Sequence, residues 1–196
     1  MNSETTFRII LAAVLVSNLS ISIFYRRRAR KQGGTIARRS EGPRMLVLRC
    51  VVGLPLWLVV IAYAVNPGWV SWFALPVPAW LRWVAAAVAI ATVPMLYWVF
   101  HSLGSSVSET VLTKQRQELV TSGPYQWVRH PLYTVGFLLM VCFGLLAANG
   151  LILLLSLLAL PFFPAVTAKE EAMLIEKFGD RYRDYMGRSG RFLPRF

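Results

Sequence analysis

The chain has little of what soluble enzymes are usually built from. Of its 196 residues nine are acidic, two are histidine and two are cysteine. Cys50 and Cys142 both sit inside apolar runs, which offers neither a disulfide framework nor a cysteine metal site. No Gly-rich fingerprint opens a helix after a strand-like run, and P-loop, zinc-ligand spacing and nucleophile elbow are missing as well. These absences exclude a soluble, doubly wound methyltransferase or dehydrogenase, and they leave no metal ligands to name. Charge is scarce at 15% of residues, and the stretch from Asn66 to Ala79 has none.

Long apolar runs take the place of all this. The chain is 56% hydrophobic, with a mean hydropathy of +0.53. Five stretches are apolar: about Thr6 to Tyr25, Met45 to Val65, Trp80 to Phe100, Leu132 to Ala148 and Leu151 to Ala168. A helix needs about 20 such residues to cross the hydrocarbon layer. The fold class predicted is all-α, a polytopic membrane protein of about five transmembrane helices. Its last two form a hairpin turned at Asn149-Gly150, with a cytosolic cofactor pocket at the hairpin's open end. Pro94 should kink the third span, and Pro161 and Pro164 should bend the fifth. The polar start Asn2-Ser3-Glu4 and the bases after the first span argue against a cleaved signal peptide.

The net charge is +12, from 21 basic against nine acidic residues. The bases cluster beside the apolar runs: Arg26 to Lys31, then Arg38, Arg39 and Arg44, the segment 101–130 and the tail. That pattern fits the positive-inside rule and anionic lipid headgroups, not nucleic acid. It predicts the N-terminus outside and the C-terminus in the cytoplasm, in the plasma membrane of a prokaryote or the endoplasmic reticulum of a eukaryote. Trp69, Trp72, Trp80 and Trp83 form an aromatic belt at the opposite interface. Gly33, Gly34 and Ser40 mark the basic linker 26–44 as loose. The chain thus divides into residues 1–100, three membrane helices with that linker, and 101–196, where the chemistry lies. From Lys169 the tail is charged, and Leu174, Phe178, Tyr182 and Met186 recur every fourth residue. It should begin as an amphipathic helix ended by Gly187 and Gly190. Nothing in the sequence assigns an oligomeric state.

One short stretch concentrates the chemistry-bearing residues, Ser122-Gly123-Pro124-Tyr125-Gln126-Trp127-Val128-Arg129-His130-Pro131-Leu132-Tyr133. Ser-Gly-Pro is turn chemistry, and Pro131 suits the first position of the following helix. Pairing of the two hairpin arms should bring Arg129, His130 and Tyr133 near Lys169, Glu170 and Glu171. Two adjacent carboxylates at a span's end are costly unless solvated or paired. A pocket of Arg, His, Tyr and Glu can hold an amino-acid group, its carboxylate on the cations and helix N-terminus and its ammonium on Glu. Aromatic rings beside it can hold a cationic centre. S-adenosylmethionine has both features. The same residues also fit plainer roles: Arg129 and His130 as interfacial anchors, and Glu170-Glu171 as the solvated first turn of the tail helix. His101 reads as an interfacial residue, and Tyr182 and Tyr185 as packing.

Two motifs carry a resemblance. Glu118-Leu119-Val120-Thr121-Ser122-Gly123-Pro124-Tyr125 followed by Val128-Arg129-His130-Pro131-Leu132-Tyr133 resembles the signature of the isoprenylcysteine carboxyl methyltransferase family. Glu170-Glu171, Leu174, Phe178-Gly179, Tyr182, Tyr185 and Gly190-Arg191-Phe192-Leu193-Pro194 resemble that family's C-terminal pattern. Its wider relatives are the integral-membrane phospholipid methyltransferases. The similarity covers about Leu103 to Pro194. It implies a cytosol-facing S-adenosylmethionine pocket with a tunnel toward the bilayer for a lipophilic acceptor. By position, the cofactor-binding residues are Gln117, Glu118, Leu119, Val120, Tyr125, His130, Pro131, Leu132 and Tyr133. Glu170 is expected at the cofactor's amino-acid end, with Glu171 beside it; Arg129, His130 and Glu170 are the expected catalytic residues. One position departs: the family's isoprenylcysteine enzymes usually carry Arg four residues before the first glutamate, and here Val166 stands there. The acceptor nucleophile then stays open among a lipid amine, a small thiol and a carboxylate. Two other classes fit the same pattern, a membrane NADPH-dependent sterol-type reductase and a non-catalytic membrane subunit.

Overall fold

The computed structural model describes residues 3–33, 49–104 and 119–195. Within those bounds the apolar runs are helical, the fifth broken at 159–161. Helix α1 spans Ser3–Gly33, with Glu4 in its first turn and Arg30 and Lys31 in its last, each opposite in sign to the helix dipole there. A wider turn at Arg49–Gly53 feeds α2, Leu54–Val65, which has a proline in its first turn where the missing N–H costs no hydrogen bond. Asn66 then ends the helix. Its side chain accepts the Gly68 amide at 2.9 Å and starts the 3-10 turn Pro67–Phe73. Helix α3, Ala79–Leu103, carries Pro94 inside it.

The second half holds α4, Pro131–Leu146, then α5, Gly150–Leu158, α6, Phe162–Phe178, and α7, Asp180–Arg188. The predicted hairpin turn lies between α4 and α5. The Asn149 side chain there accepts the amides of Leu151 and Ile152, both at 3.1 Å, and satisfies two of the orphan donors of α5. Pro161 separates α5 from α6, so the predicted bend of the fifth run is a break.

Three stretches are long and apolar enough to cross a membrane, Ser3–Lys31, Ala79–Leu103 and Gly150–Phe178, while α2 and α4 are shorter apolar helices. The protein is an all-helical integral membrane protein. Its core lies where α1, α3 and α4 meet, with Phe7, Leu11, Ala85, Ala86, Ala89, Phe143 and Leu146 each no more than 2% exposed. The small residues on α3 let its backbone approach α1 and α4 closely, which supplies packing where lipid offers no hydrophobic gain. Outward faces are apolar too: Trp72, Trp69, Trp80 and Leu58 are all exposed.

Three expectations change. The bases Arg26 to Lys31 belong to α1, which outruns its apolar span, so the basic segment is helical as far as Gly33. The remainder of the linker, 34–44, lies outside the described residues. The tail does not start its own helix at Lys169, because α6 continues through it to Phe178. Gly179 makes the break with φ near +58°, a conformation open to glycine without a Cβ clash, and Gly187 sits inside α7, which runs on to Arg188.

Candidate active site

The site forms where the start of α4 meets the middle of α6. A 3-10 turn at Gly123–Gln126 leads through Val128 and Arg129 to His130, whose carbonyl accepts the amides of Tyr133 at 3.1 Å and Thr134 at 3.3 Å. Pro131 therefore opens α4 as the sequence predicts. Opposite, Glu170 and Glu171 lie consecutively on α6 and point to different partners.

Glu171 is the hub. One of its oxygens, Oε1, accepts Arg129 Nε at 3.0 Å and faces His130 Nε2 at 3.2 Å; the other, Oε2, accepts Arg191. Its side chain is 3% exposed, so the two guanidiniums and the imidazole replace water around it. Arg129 Nη1 also donates to the Met186 carbonyl at 3.0 Å and to that of Ser189. Glu170 is the more open carboxylate at 19%. Its Oε1 accepts the Tyr133 hydroxyl at 2.7 Å, and its Oε2 lies 3.3 Å from His130 Nδ1.

His130 thus has a carboxylate at each ring nitrogen, and an imidazole can donate from both only when protonated. Burial works against the charged ring, but the hydrogen bonds and charges of Glu170 and Glu171 outweigh it and raise its pKa above the ordinary 6.5. Behind the ring, burial pushes the Tyr185 hydroxyl up to about 12, and that hydroxyl donates to the Tyr125 carbonyl at 2.6 Å. Burial, with the charges near it, also raises Tyr125 well above its usual value. A run of aromatic rings continues from the ion cluster. Tyr133 meets Phe163 edge-on at 5.5 Å, Phe163 lies 6.1 Å from Phe137 and 6.2 Å from Phe192, and Phe192 lies 6.1 Å from His130. Val166 is buried one turn before Glu170.

The structure therefore gathers Arg129, His130, Tyr133, Glu170 and Glu171 as the sequence anticipates, and its pairings replace the interfacial-anchor reading of Arg129 and His130. Tyr125 is buried in the turn beneath them, while the Leu132 side chain packs away from the carboxylates, against Tyr25, Ala29 and Phe100. Leu119 and Val120 are half-buried on the approach to the turn, and Gln117 and Glu118 lie outside the described residues. His101 stays apart from the site, with Nδ1 3.2 Å from the Tyr25 hydroxyl and its ring stacked on Tyr97. Among the described residues no cluster of His, Cys, Asp and Glu could hold a metal ion. Sequence reasoning assigned no role to Arg191, Phe192 or Phe163. The only signal for the first two was the Gly-Arg-Phe-Leu-Pro ending.

The family model of the isoprenylcysteine carboxyl methyltransferase (ICMT) family matches residues 83–176, which contain the turn, α4 and both glutamates. The matched segment, just under half of the chain, resembles this family. A nickel-cobalt-cadmium resistance protein of Alcaligenes xylosoxydans xylosoxydans is 37% identical over 117 residues, 58% of this chain and 53% of that protein. A protein-S-isoprenylcysteine O-methyltransferase of Schizosaccharomyces pombe is 39% identical over 85 residues, 42% of this chain and 36% of the yeast enzyme. The chain therefore spans about half of the first relative and about a third of the second. The solved structure of the eukaryotic intramembrane Ras methyltransferase ICMT superposes with a TM-score of 0.57 at 21% identity, covering 94% of this chain and 67% of that one. That likeness is one of fold.

Proposed function

We propose that the chain is an integral-membrane methyltransferase that uses S-adenosylmethionine and a lipophilic acceptor at this site. The observation that carries the reading is Glu170. This carboxylate is partly open and is aimed by His130 and Tyr133, and among the described residues no arginine pairs with it. The donor set around it fits the cofactor. Glu170 suits the amino-acid ammonium, while the positive end of the α4 dipole suits its carboxylate. The rings of Tyr133, Phe163 and Phe192 suit a cationic centre.

When bound, S-adenosylmethionine supplies an electrophilic methyl group. The chain's own residues hold and orient. Glu170 takes the ammonium, Tyr133 and His130 fix the carboxylate of Glu170, and Arg129 keeps Glu171 under His130. Leu119, Val120, Tyr125, Pro131 and Leu132, with Gln117 and Glu118 ahead of them, complete the cofactor contacts that the resemblance assigns. Phe137, Phe163 and Phe192 keep water from the reacting centre, so acceleration comes mainly from positioning and desolvation. His130 lies between two carboxylates and acts as a charged donor, not as the base. The buried, apolar Val166 beside the rings favours a lipophilic acceptor, as the names of the yeast and Ras-modifying relatives also suggest. The bases of α1 and α7 lie at the site's end of the bundle, which supports a cytoplasmic site and an outside N-terminus.

Calorimetry on the full chain in lipid nanodiscs tests the reading, with S-adenosylmethionine and NADPH titrated separately. Saturable binding of S-adenosylmethionine alone is expected, weakened about 30-fold in Glu170→Gln, the scale of one charge-assisted hydrogen bond. Binding of NADPH alone, or equal affinities in the two proteins, sinks it.

A further inference from the structure

Residues 189–195 lie beyond the family-matched segment 83–176, yet they touch Arg129, His130, Phe163 and Glu171. They belong to no helix and run as a strap across the entry to α4. The Gly190 amide donates to the Trp127 carbonyl at 2.9 Å, the Arg129 amide to Gly190 at 2.8 Å and the His130 amide to Arg191 at 3.1 Å, a short parallel bridge between Val128 and Gly190. The Thr134 hydroxyl then donates to the Phe192 carbonyl at 2.8 Å. The turn itself needs glycine: a Cβ at Gly190 would stand 1.8 Å from the Leu193 carbonyl oxygen.

Two strap side chains face the site. Arg191 binds Glu171 Oε2, and that ion pair raises the Arg191 pKa further. Phe192 contacts both His130 and Phe163. The side chains form one unbroken chain of contacts: Arg191 to Glu171, Glu171 to His130, His130 to Glu170. Arg191 is its most exposed member at 36%, against 3% at Glu171, 6% at His130 and 19% at Glu170. The outermost member is thus the one that can let go without opening the core, and the two inner ones move only if their neighbours do.

We infer that the strap is a positioning element of the ligand site, latched by Arg191. Its ion pair with Glu171 holds the His130 ring in place, the ring fixes the Glu170 carboxylate, and Phe192 closes the aromatic wall. This rests on Glu170 as the cofactor's ammonium partner. Arg191 and Phe192 are positioning residues; neither exchanges a proton or a bond with substrate.

A double-mutant cycle on cofactor binding separates positioning from plain structural support. In the full chain in nanodiscs, Arg191→Ala should weaken S-adenosylmethionine binding about tenfold, and Arg191→Lys should recover most of that. In a Glu170→Gln background the ammonium contact is already lost, so Arg191→Ala should cost less than about threefold more. A second arm needs no ligand. Hydrogen exchange at the Arg129, His130 and Gly190 amides should quicken in Arg191→Ala while the α3 and α4 amides stay protected. Equal losses in both backgrounds, or affinity unchanged by Arg191→Ala, overturn the positioning role. Uniformly faster exchange overturns the latch. Wild-type protein that binds no S-adenosylmethionine but shows the localised exchange retains the latch and refutes the cofactor assignment, so the two failures are distinct.

Discussion

The bundle carries an ion cluster at each end, built from the same residue types. At the end away from the site, Arg82 Nη1 pairs with Glu4 at 2.8 Å, the Tyr63 hydroxyl donates to Glu4 at 2.6 Å, and the Arg82 guanidinium lies 4.1 Å from the Phe7 ring centroid. The remaining donors go to backbone. Arg82 Nε and Nη2 reach the Leu146 carbonyl, and Arg8 reaches those of Ala64 and Val65. These are the last carbonyls of α4 and α2, the acceptors a helix end leaves orphaned. At the other end, two arginines and a histidine converge on Glu171 while Glu170 stays partly open. In the first cluster the arginines are spent on the fold's own backbone and Glu4 is 47% exposed; in the second the cations converge on Glu171 and leave Glu170, at 19%, held by a tyrosine and a histidine. An Arg–Glu–Tyr group is therefore no sign of a site by itself. Glu4 too is oriented by a tyrosine and a cation, so what distinguishes the second cluster is its place beside the α4 entry turn and the Tyr133–Phe163–Phe192 wall.

The largest effect should come from Glu171→Gln. It leaves the two arginines and His130 without their shared anion in a nearly dry place, and breaking a buried pair from one side costs about 3 kcal/mol or more. For a chain of this length that is roughly a 10 °C loss in Tm, read by a thermal melt in detergent, with cofactor binding lost as well. Glu170→Gln sharpens the contrast. The same substitution one residue earlier should cost Tm less than half as much while affinity falls, because Glu170 is more exposed and loses one imidazolium where Glu171 loses three cations. If the neighbouring variants match each other in both readouts, the division of labour between the glutamates is wrong.

Arg82→Met is the counterpart at the far end. It uncaps the Leu146 carbonyl, for about 2 kcal/mol of stability, while half-exposed Glu4 keeps water and Tyr63, and S-adenosylmethionine affinity of the folded protein should stay within about twofold. A comparable loss of affinity would show that the two ends are coupled and break the distinction between them.

Helices and the pairing of the hairpin arms were legible because they rest on apolar runs and on Pro, Gly and Asn at their ends, which act locally. The meeting of Arg129, His130 and Tyr133 with Glu170 and Glu171 followed from the short turn at Asn149 alone. The assignment within that group was not legible. Glu170 and Glu171 look alike as letters, and only the helical twist of α6 turns one toward Arg129 and Arg191 and the other toward Tyr133. Arg191 escaped notice because its partner lies 20 residues back across a break at Gly179 that the four-residue repeat conceals. Arg8 and Arg82 were hidden by the apolar spans they sit in, since their carbonyl partners leave no mark in composition.

The smallest effect is a slope, and it tests the protonation state that the site reading assumes. The His130 pKa is raised in the folded protein, so folding favours the proton. The stabilisation is then complete below the unfolded value of about 6.5 and is lost as pH climbs through the raised folded value. The groups facing the ring are Glu170 and Glu171 on α6, Arg129 before α4, Tyr133 on α4 and Arg191 and Phe192 on the strap. Of these, histidine is the side chain whose charge change ordinarily falls near this window, so the ring is the group that turns over. Tm should therefore decline from pH 6.5 toward pH 9, and His130→Gln should flatten that decline while lowering the acid-side plateau. A wild-type melt that rises with pH over the same window would mean that the ring is neutral between its two carboxylates, and His130 would then be a candidate base instead of a clamp.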